Sequence, residues 1–137
     1  MQIPLAIAVA IPYLALEMAW LGITVPRIYA PLFARVQGTA AWEKRPAVEL
    51  LAAAVVAYVV LIAGIVYFAL NGDPSRMSYR TAAMRGAFLG LVVYGTYNLT
   101  NYVAFAQWGL TTLLVDTTWG TCVVATVSVL AKLLHGL

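Results

Sequence analysis

Residues 47–70 read AVELLAAAVVAYVVLIAGIVYFAL, and this stretch decides what kind of protein the chain is. Its single charged side chain, Glu49, lies near the start, and every later residue is apolar, aromatic or glycine. About 20 apolar residues in a row can cross the roughly 30 Å hydrocarbon core of a bilayer as an α-helix. A strand of an outer-membrane barrel would instead alternate apolar and polar side chains over about ten residues. The stretch therefore predicts a transmembrane helix.

Three further apolar runs of similar length precede and follow this one: 3–25, 86–106 and 109–134. The last two are separated by a very short joint at Gly109, so we expect them to pack as an antiparallel hairpin. The GxxxG pattern from Gly86 to Gly90 favours close helix packing.

These patterns predict the fold class. The chain should form one all-α domain over 1–137, an integral membrane bundle of four antiparallel transmembrane helices. The segment at 26–46 should form one interfacial loop or short helix.

The composition supports a membrane protein. Hydrophobic residues make up 64% of the chain, charged residues 9%, and the mean hydropathy is +0.90. A soluble domain has about a quarter of its residues charged, so this chain would lack a surface compatible with water. These values exclude a soluble globular protein, a disordered chain and a nucleic-acid binder.

The segment at 26–46 combines basic and aromatic side chains, a composition typical of the membrane–water interface. It could be an ordinary interfacial loop, or a site for lipid headgroups or a partner protein. The side chains that we expect to contact lipid or a partner are Arg27, Tyr29, Arg35, Trp42, Lys44 and Arg45.

The orientation in the membrane cannot be derived from the charges. Four basic residues lie in this segment, and four others lie on the opposite side: Arg76, Arg80, Arg85 and Lys132. The positive-inside rule compares these numbers, and here they are equal.

Polar residues of three predicted spans lie at similar depth in one leaflet. Glu17 lies past the middle of the first span, and Asp116 lies before the middle of the last, which runs in the opposite direction. Each acid lies on a polar stripe of its helix with the spacing i, i+4, i+7. We therefore predict that the following residues form a buried polar cluster: Glu17, Trp20, Tyr97, Asn98, Asn101, Asp116 and Trp119.

Three roles are open for this predicted cluster. It could hold the helices in order through hydrogen bonds, each worth about 1 kcal/mol or less. It could instead relay protons or ions, or bind a small polar ligand, because an acid inside a membrane is costly and marks a functional site by default. No Lys or Arg lies at the depth of Glu17 and Asp116, so the two acids could share a proton or accept hydrogen bonds.

Other familiar sites are not expected. Cys122 is the single cysteine and His135 the single histidine, and no catalytic triad, glycine-rich phosphate loop or metal-ligand cluster is recognisable. We therefore expect no intrinsic cofactor, no metal and no catalytic residue, while a bound phospholipid is expected.

Two motifs resemble a known family. The chain reads YGTYNLTN at 94–101 and VDTTWG at 115–120, with Trp108 between them. These motifs, and LEMAWLG at 16–22, resemble the small predicted membrane proteins grouped as domain of unknown function 2177. The resemblance implies four spans but no activity. The family motifs have Asp where this chain has Glu17, which keeps the charge, and Asp where it has Asn98, which removes one.

Three functions are compatible with these features. We expect a non-catalytic accessory subunit of a larger membrane assembly, namely a respiratory-chain complex, in the mitochondrial inner membrane rather than a bacterial plasma membrane. One alternative is a small oligomeric transporter or channel component with a proton or cation path through Glu17 and Asp116. Another is a membrane enzyme acting on a lipid or quinone. The expected partners are membrane lipids and other membrane subunits, and no nucleic acid.

Overall fold

A computed structural model of the chain describes residues 4–38 and 41–135, which are helical apart from short turns and contain no strand. The helices are α1 (Leu5–Thr24), α2 (Ala30–Gln37), α3 (Ala41–Lys44), α4 (Ala47–Gly64), α5 (Tyr79–Ala104) and α6 (Leu110–His135). Two π-helical segments, Val25–Tyr29 and Ile65–Ala69, extend α1 and α4. The predicted all-α membrane bundle is confirmed.

Three helical stretches in the described part of the chain are long and apolar enough to cross a membrane: Leu5–Gln37, Ala47–Ala69 and Leu110–His135. Helix α5 corresponds to the run predicted at 86–106, but it begins seven residues earlier, at Tyr79. The hydroxyl of Ser78 starts it by accepting a hydrogen bond from the Thr81 backbone N–H at 3.0 Å. Tyr, Thr and Asn side chains make α5 less apolar than the other three stretches, and it is the helix that carries much of the polar site.

The first helix is longer than the sequence indicates. The predicted span ends at Val25, before Pro26, yet helical structure continues through the π-helical segment and α2 to Gln37. Proline has no N–H to donate, and a π-helical segment shifts the hydrogen-bond pattern so that the helix passes this position. Gly38, with φ 83°, ends the helix. Most of the described part of 26–46, which we predicted as an interfacial loop or short helix, is therefore helical.

Helices α5 and α6 form the tightest pair, because glycines let their backbones approach. A Cβ atom on Gly86 would lie 2.5 Å from the Ser128 hydroxyl oxygen and 2.7 Å from the Val124 carbonyl oxygen. A Cβ on Gly90 would overlap the carbonyl group of Gly120, and one on Gly120 would overlap the ring of Tyr94. The predicted GxxxG pattern lies on the face of α5 that packs on α6.

Helix α1 packs along α6, whereas α4 is held mainly at one end. None of the residues from Ala47 to Gly64 is buried, while Ile65 and Ala69 of the following π-helical segment are fully buried in the core. Helix α4 itself lies beside α1 and makes little contact with it. A cleft is left between α1, α4 and α5.

The turn between α4 and α5 is polar and lies outside the long helices. Arg76 forms an ion pair with Asp73 at 3.2 Å, and the Ser75 hydroxyl and backbone N–H donate to the same carboxylate. The hydrogen bonds from Ser75 hold the pKa of Asp73 below its usual value.

Candidate functional site

Two buried acids on different helices are the centre of the candidate site. Glu17 of α1 and Asp116 of α6 keep only 7% and 5% of their surface exposed. Both lie in the interior of long apolar helices, where each carboxyl group needs hydrogen-bond donors, a cation or a proton.

Asp116 accepts hydrogen bonds from two helices. The Tyr29 hydroxyl donates to its Oδ1 atom, and the Asn98 side-chain amide donates to its Oδ2 atom at 2.6 Å. Asn98 is fully buried, and its amide also donates to the Tyr94 carbonyl oxygen at 2.9 Å. The Trp108 indole N–H donates to Asn98 Oδ1 at 3.2 Å, so Asn98 connects Asp116 to the joint between α5 and α6.

Glu17 has its own set of donors. The Trp119 indole N–H donates to its Oε2 atom at 2.9 Å, and the Tyr94 hydroxyl lies 3.5 Å from both carboxylate oxygens. The Tyr13 and Tyr94 hydroxyl oxygens are 2.5 Å apart, so Tyr13 can donate to Tyr94 while Tyr94 donates to Glu17. Through its hydroxyl and its backbone carbonyl, Tyr94 touches both halves of the site.

Two stacked tryptophans lie beside Glu17. The rings of Trp20 and Trp119 are stacked with centroids 4.5 Å apart and an angle of 5° between planes. Trp20 Nε1 is buried and makes no hydrogen bond of ordinary geometry. The stacked pair fixes the orientation of the indole that donates to Glu17.

Both acids line one cleft, which we call the acid cleft. It has a volume of about 430 Å³, and its walls are otherwise apolar or aromatic. The residues that line it are Glu17, Leu21, Val25, Tyr29, Phe33, Leu61, Val93, Tyr94, Tyr97 and Asp116. Leu61 is the contribution of α4, the helix that is held mainly at one end.

The acids have no cationic partner among the residues that the structure describes. Within the same residues, no group of three or more His, Cys, Asp or Glu side chains is placed to hold a metal ion. The arrangement can therefore exchange a proton or bind a single positive charge, using two carboxyl groups and the phenol hydroxyls around them.

The structure brings together most, but not all, of the side chains in the predicted polar cluster. Asn98 donates to Asp116, Trp119 donates to Glu17, and Trp20 stacks on Trp119. Tyr97 lies close enough to Asp116 for an electrostatic interaction, whereas Asn101 interacts with Tyr97. Tyr97 lines the acid cleft with 48% of its surface exposed, so it belongs to the rim.

Tyr29, which we predicted at the interface, takes part in the site. Because the helix continues past Pro26, Tyr29 lies five residues beyond Thr24 on the same helix as Glu17, and its hydroxyl reaches Asp116. The basic side chains of that set are exposed: Arg27, Arg35, Lys44 and Arg45. The side chain of Trp42 lies outside what the structure describes.

Four aromatic contributors to the site were not among the predicted residues: Tyr13, Phe33, Tyr94 and Trp108. Tyr13 and Tyr94 lie on the same polar stripes as Glu17 and Asn98, so the helical spacing could have selected them. Trp108 stands in the short joint after α5, where helical spacing no longer applies. Phe33 depends on the continuation of the first helix.

The comparison with known proteins agrees with this fold. No curated protein and no solved structure matches the chain. Residues 3–133 match the family described as predicted membrane protein, domain of unknown function 2177. This match covers nearly the whole sequence, including all the residues of the site, and the chain therefore belongs to that family of predicted membrane proteins.

Proposed function

We propose that the chain is a small transporter component that carries protons, or cations in exchange for protons, through Glu17 and Asp116. The observation that carries this proposal is the acid cleft, where two carboxyl groups line one opening with no cationic partner among the residues that the structure describes. Helix packing alone would be served by polar groups that are closed off from any cavity.

The hydrogen bonds around the acids support reversible protonation. Every described donor to the two carboxylates is an uncharged tyrosine, asparagine or tryptophan. A fixed Lys or Arg would compete with a mobile cation for the carboxylates, and uncharged donors do not. When a carboxyl group gives up its proton, a cation can take its place, and the charge in the cleft stays unchanged.

A four-helix chain encloses little space, so a complete path would need a second copy. The weak packing of α4 on α1 leaves apolar surface for such an association. We therefore expect a homo-oligomer in which each copy supplies one acid cleft.

Replacing Glu17 with glutamine keeps the shape of the side chain and removes its charge. In liposomes that contain the full-length protein and a trapped pH dye, an imposed potassium potential should drive proton movement through the native chain. The variant should lose at least about nine-tenths of this flux, because the exchangeable proton is gone.

The matched control is Glu49→Gln, an exposed acid at the start of α4, which should leave the flux unchanged. Equal insertion of the three proteins is checked by protease protection. The proposal would be contradicted if Glu17→Gln carried as large a proton flux as the native chain, and also as large a sodium flux when sodium movement is measured in the same liposomes.

A second candidate function is that of an accessory subunit in a larger membrane assembly. The specific observation in its favour is that no residue of α4 is buried, although the helix is long and apolar. If the protein, after mild extraction, migrated on native gels at a mass well above that of a homo-oligomer, the accessory-subunit function would be favoured. Membership in a respiratory-chain complex, and a mitochondrial location, stay predictions from the sequence. No observation of the site favours an enzyme acting on a lipid or quinone.

A further inference from the structure

The walls of the acid cleft carry four aromatic rings in addition to its two acids. They belong to Tyr29, Phe33, Tyr94 and Tyr97, and they come from the first helix and from α5. The Tyr29 and Phe33 rings are stacked, with centroids 6.1 Å apart and an angle of 21° between planes, and both line the cleft. The remaining lining is aliphatic.

An inorganic ion would use little of this surface. A sodium or potassium ion that gives up its water shell needs oxygen ligands on several sides. The cleft offers oxygens only from two carboxyl groups and a few hydroxyls, against a mainly apolar lining. Aromatic faces attract cations through the ring quadrupole, and most strongly where water is excluded. Carboxylates together with aromatic faces and aliphatic walls match a cation that has its own apolar substituents.

The size of the cleft agrees with an organic occupant. Its volume of about 430 Å³ falls in the range of small-molecule sites, which is roughly 300–1,000 Å³. Both acids lie inside apolar helices, Glu17 in α1 and Asp116 in α6, deeper than the headgroup region that the ends of these helices reach. The occupant must therefore be soluble in apolar surroundings as well as charged.

We propose that the acid cleft binds an organic ammonium ion with apolar substituents. This inference rests on the proposed function and names the class of cation that the site exchanges for protons. The ammonium group lies between Glu17 and Asp116, and the substituents contact the aromatic rings. If the cation enters a cleft with a protonated carboxyl group, the O–H bond of that group breaks, the proton goes to water, and the carboxylate pairs with the ammonium ion.

The probe is benzyltrimethylammonium, titrated into the full-length protein by isothermal calorimetry in phosphate and in Tris buffer. The two buffers differ in their heat of ionisation, so the difference in heat counts the protons released. We expect saturable binding with proton release. Sodium at the same ionic strength and benzyl alcohol should both bind at least tenfold more weakly, because each lacks one half of the required chemistry.

Two variants with matched controls locate the binding. Glu17→Gln should weaken binding of the probe at least tenfold, while Glu49→Gln should not change it. Tyr97→Ala should weaken binding about threefold to tenfold through the loss of one ring. Tyr102→Ala, on the same helix and with a similar exposed fraction (47% against 48%), should bind like the native chain because Tyr102 does not line the cleft.

A choline headgroup of a lipid has the same chemistry as a free ammonium ion, and the membrane composition separates the two. Binding of equal strength in phosphatidylcholine and phosphatidylglycerol nanodiscs identifies a free cation as the occupant. Weaker probe binding in phosphatidylcholine alone identifies competition by the headgroup, and both results support the ammonium site.

The inference would be overturned if the probe showed no saturable binding. It would also be overturned if the Glu17→Gln and Tyr97→Ala variants bound the probe as strongly as the native chain does. If proton flux in liposomes still depends on Glu17 in that case, the proposed function stands with a different cation. If the probe binds as expected and no flux is seen, the ammonium site stands and the transport function fails.

Discussion

Replacing Gly90 with alanine should destabilise the protein by about 3 kcal/mol, at the upper end of what overpacking a well-filled core usually costs. The new methyl group would overlap the carbonyl group of Gly120 and lie 2.9 Å from Thr121 Cα. Both are backbone atoms of α6, so no side-chain rotation can make room, and the two helices must move apart. The measurement is unfolding of the purified protein by SDS, followed by tryptophan fluorescence.

Gly64→Ala is the control for this change. It introduces the same methyl group at a helical glycine where a Cβ would meet nothing within 4 Å. Its unfolding midpoint should be equal to or higher than that of the native chain, since alanine is the better helix former. Equal midpoints for the Gly64 and Gly90 variants would show that the close contact of α5 and α6 is not needed for stability.

Replacing Asn98 with leucine should cost about 2 kcal/mol and should also disturb the site. The side chain is fully buried, and its loss removes hydrogen bonds to Asp116, to the Tyr94 carbonyl and from the Trp108 indole. Hydrogen bonds between membrane helices are worth about 0.6 kcal/mol each on average, and the partners left without a bond add to the loss. The same SDS titration measures the change in the free energy of unfolding.

Asn101→Leu provides the comparison, since it makes the same substitution one turn further along α5. Asn101 is half-buried and interacts with Tyr97, at the rim of the acid cleft. Its replacement should change the free energy of unfolding by less than about 0.5 kcal/mol, as for most positions away from a buried network. If both variants lowered the free energy of unfolding by the same amount, the buried hydrogen bonds of Asn98 would contribute no more to stability than the half-buried Asn101 does.

The helices and the convergence of the two acids could be predicted from the sequence because both depend on simple lengths. Runs of about 20 apolar residues predict the helices, and a rise of about 1.5 Å per residue predicts similar depths for Glu17 and Asp116, which line one cleft. The ends of the helices were harder to predict, because they depend on single residues. A serine cap extends α5 backwards, and a π-helical segment carries the first helix past Pro26.

Helical spacing predicts which residues of α5 share a face, but it does not predict which of them contact the acids. On α5, one row of positions four residues apart faces α6: Gly86, Gly90, Tyr94 and Asn98. Tyr97 and Asn101 form the next row, which turns towards the rim of the acid cleft. A stripe with i, i+3, i+4 spacing contains both rows, and only the position of the neighbouring helix separates them. Tyr29 could not be placed because its angle around the helix depends on the π-helical segment before it.

The close pairing of α5 and α6 also bears on the order in which the chain folds. The Asn98–Asp116 bond joins residues 18 positions apart, whereas the bonds of Trp119 to Glu17 and of Tyr29 to Asp116 join residues 102 and 87 positions apart. Closing a short loop costs less chain entropy than closing a long one, so we expect the glycine-lined hairpin to form before α1 docks onto it. In that order, Asp116 and Asn98 are in place before Glu17 arrives, and we expect the cleft to form only in the final docking step.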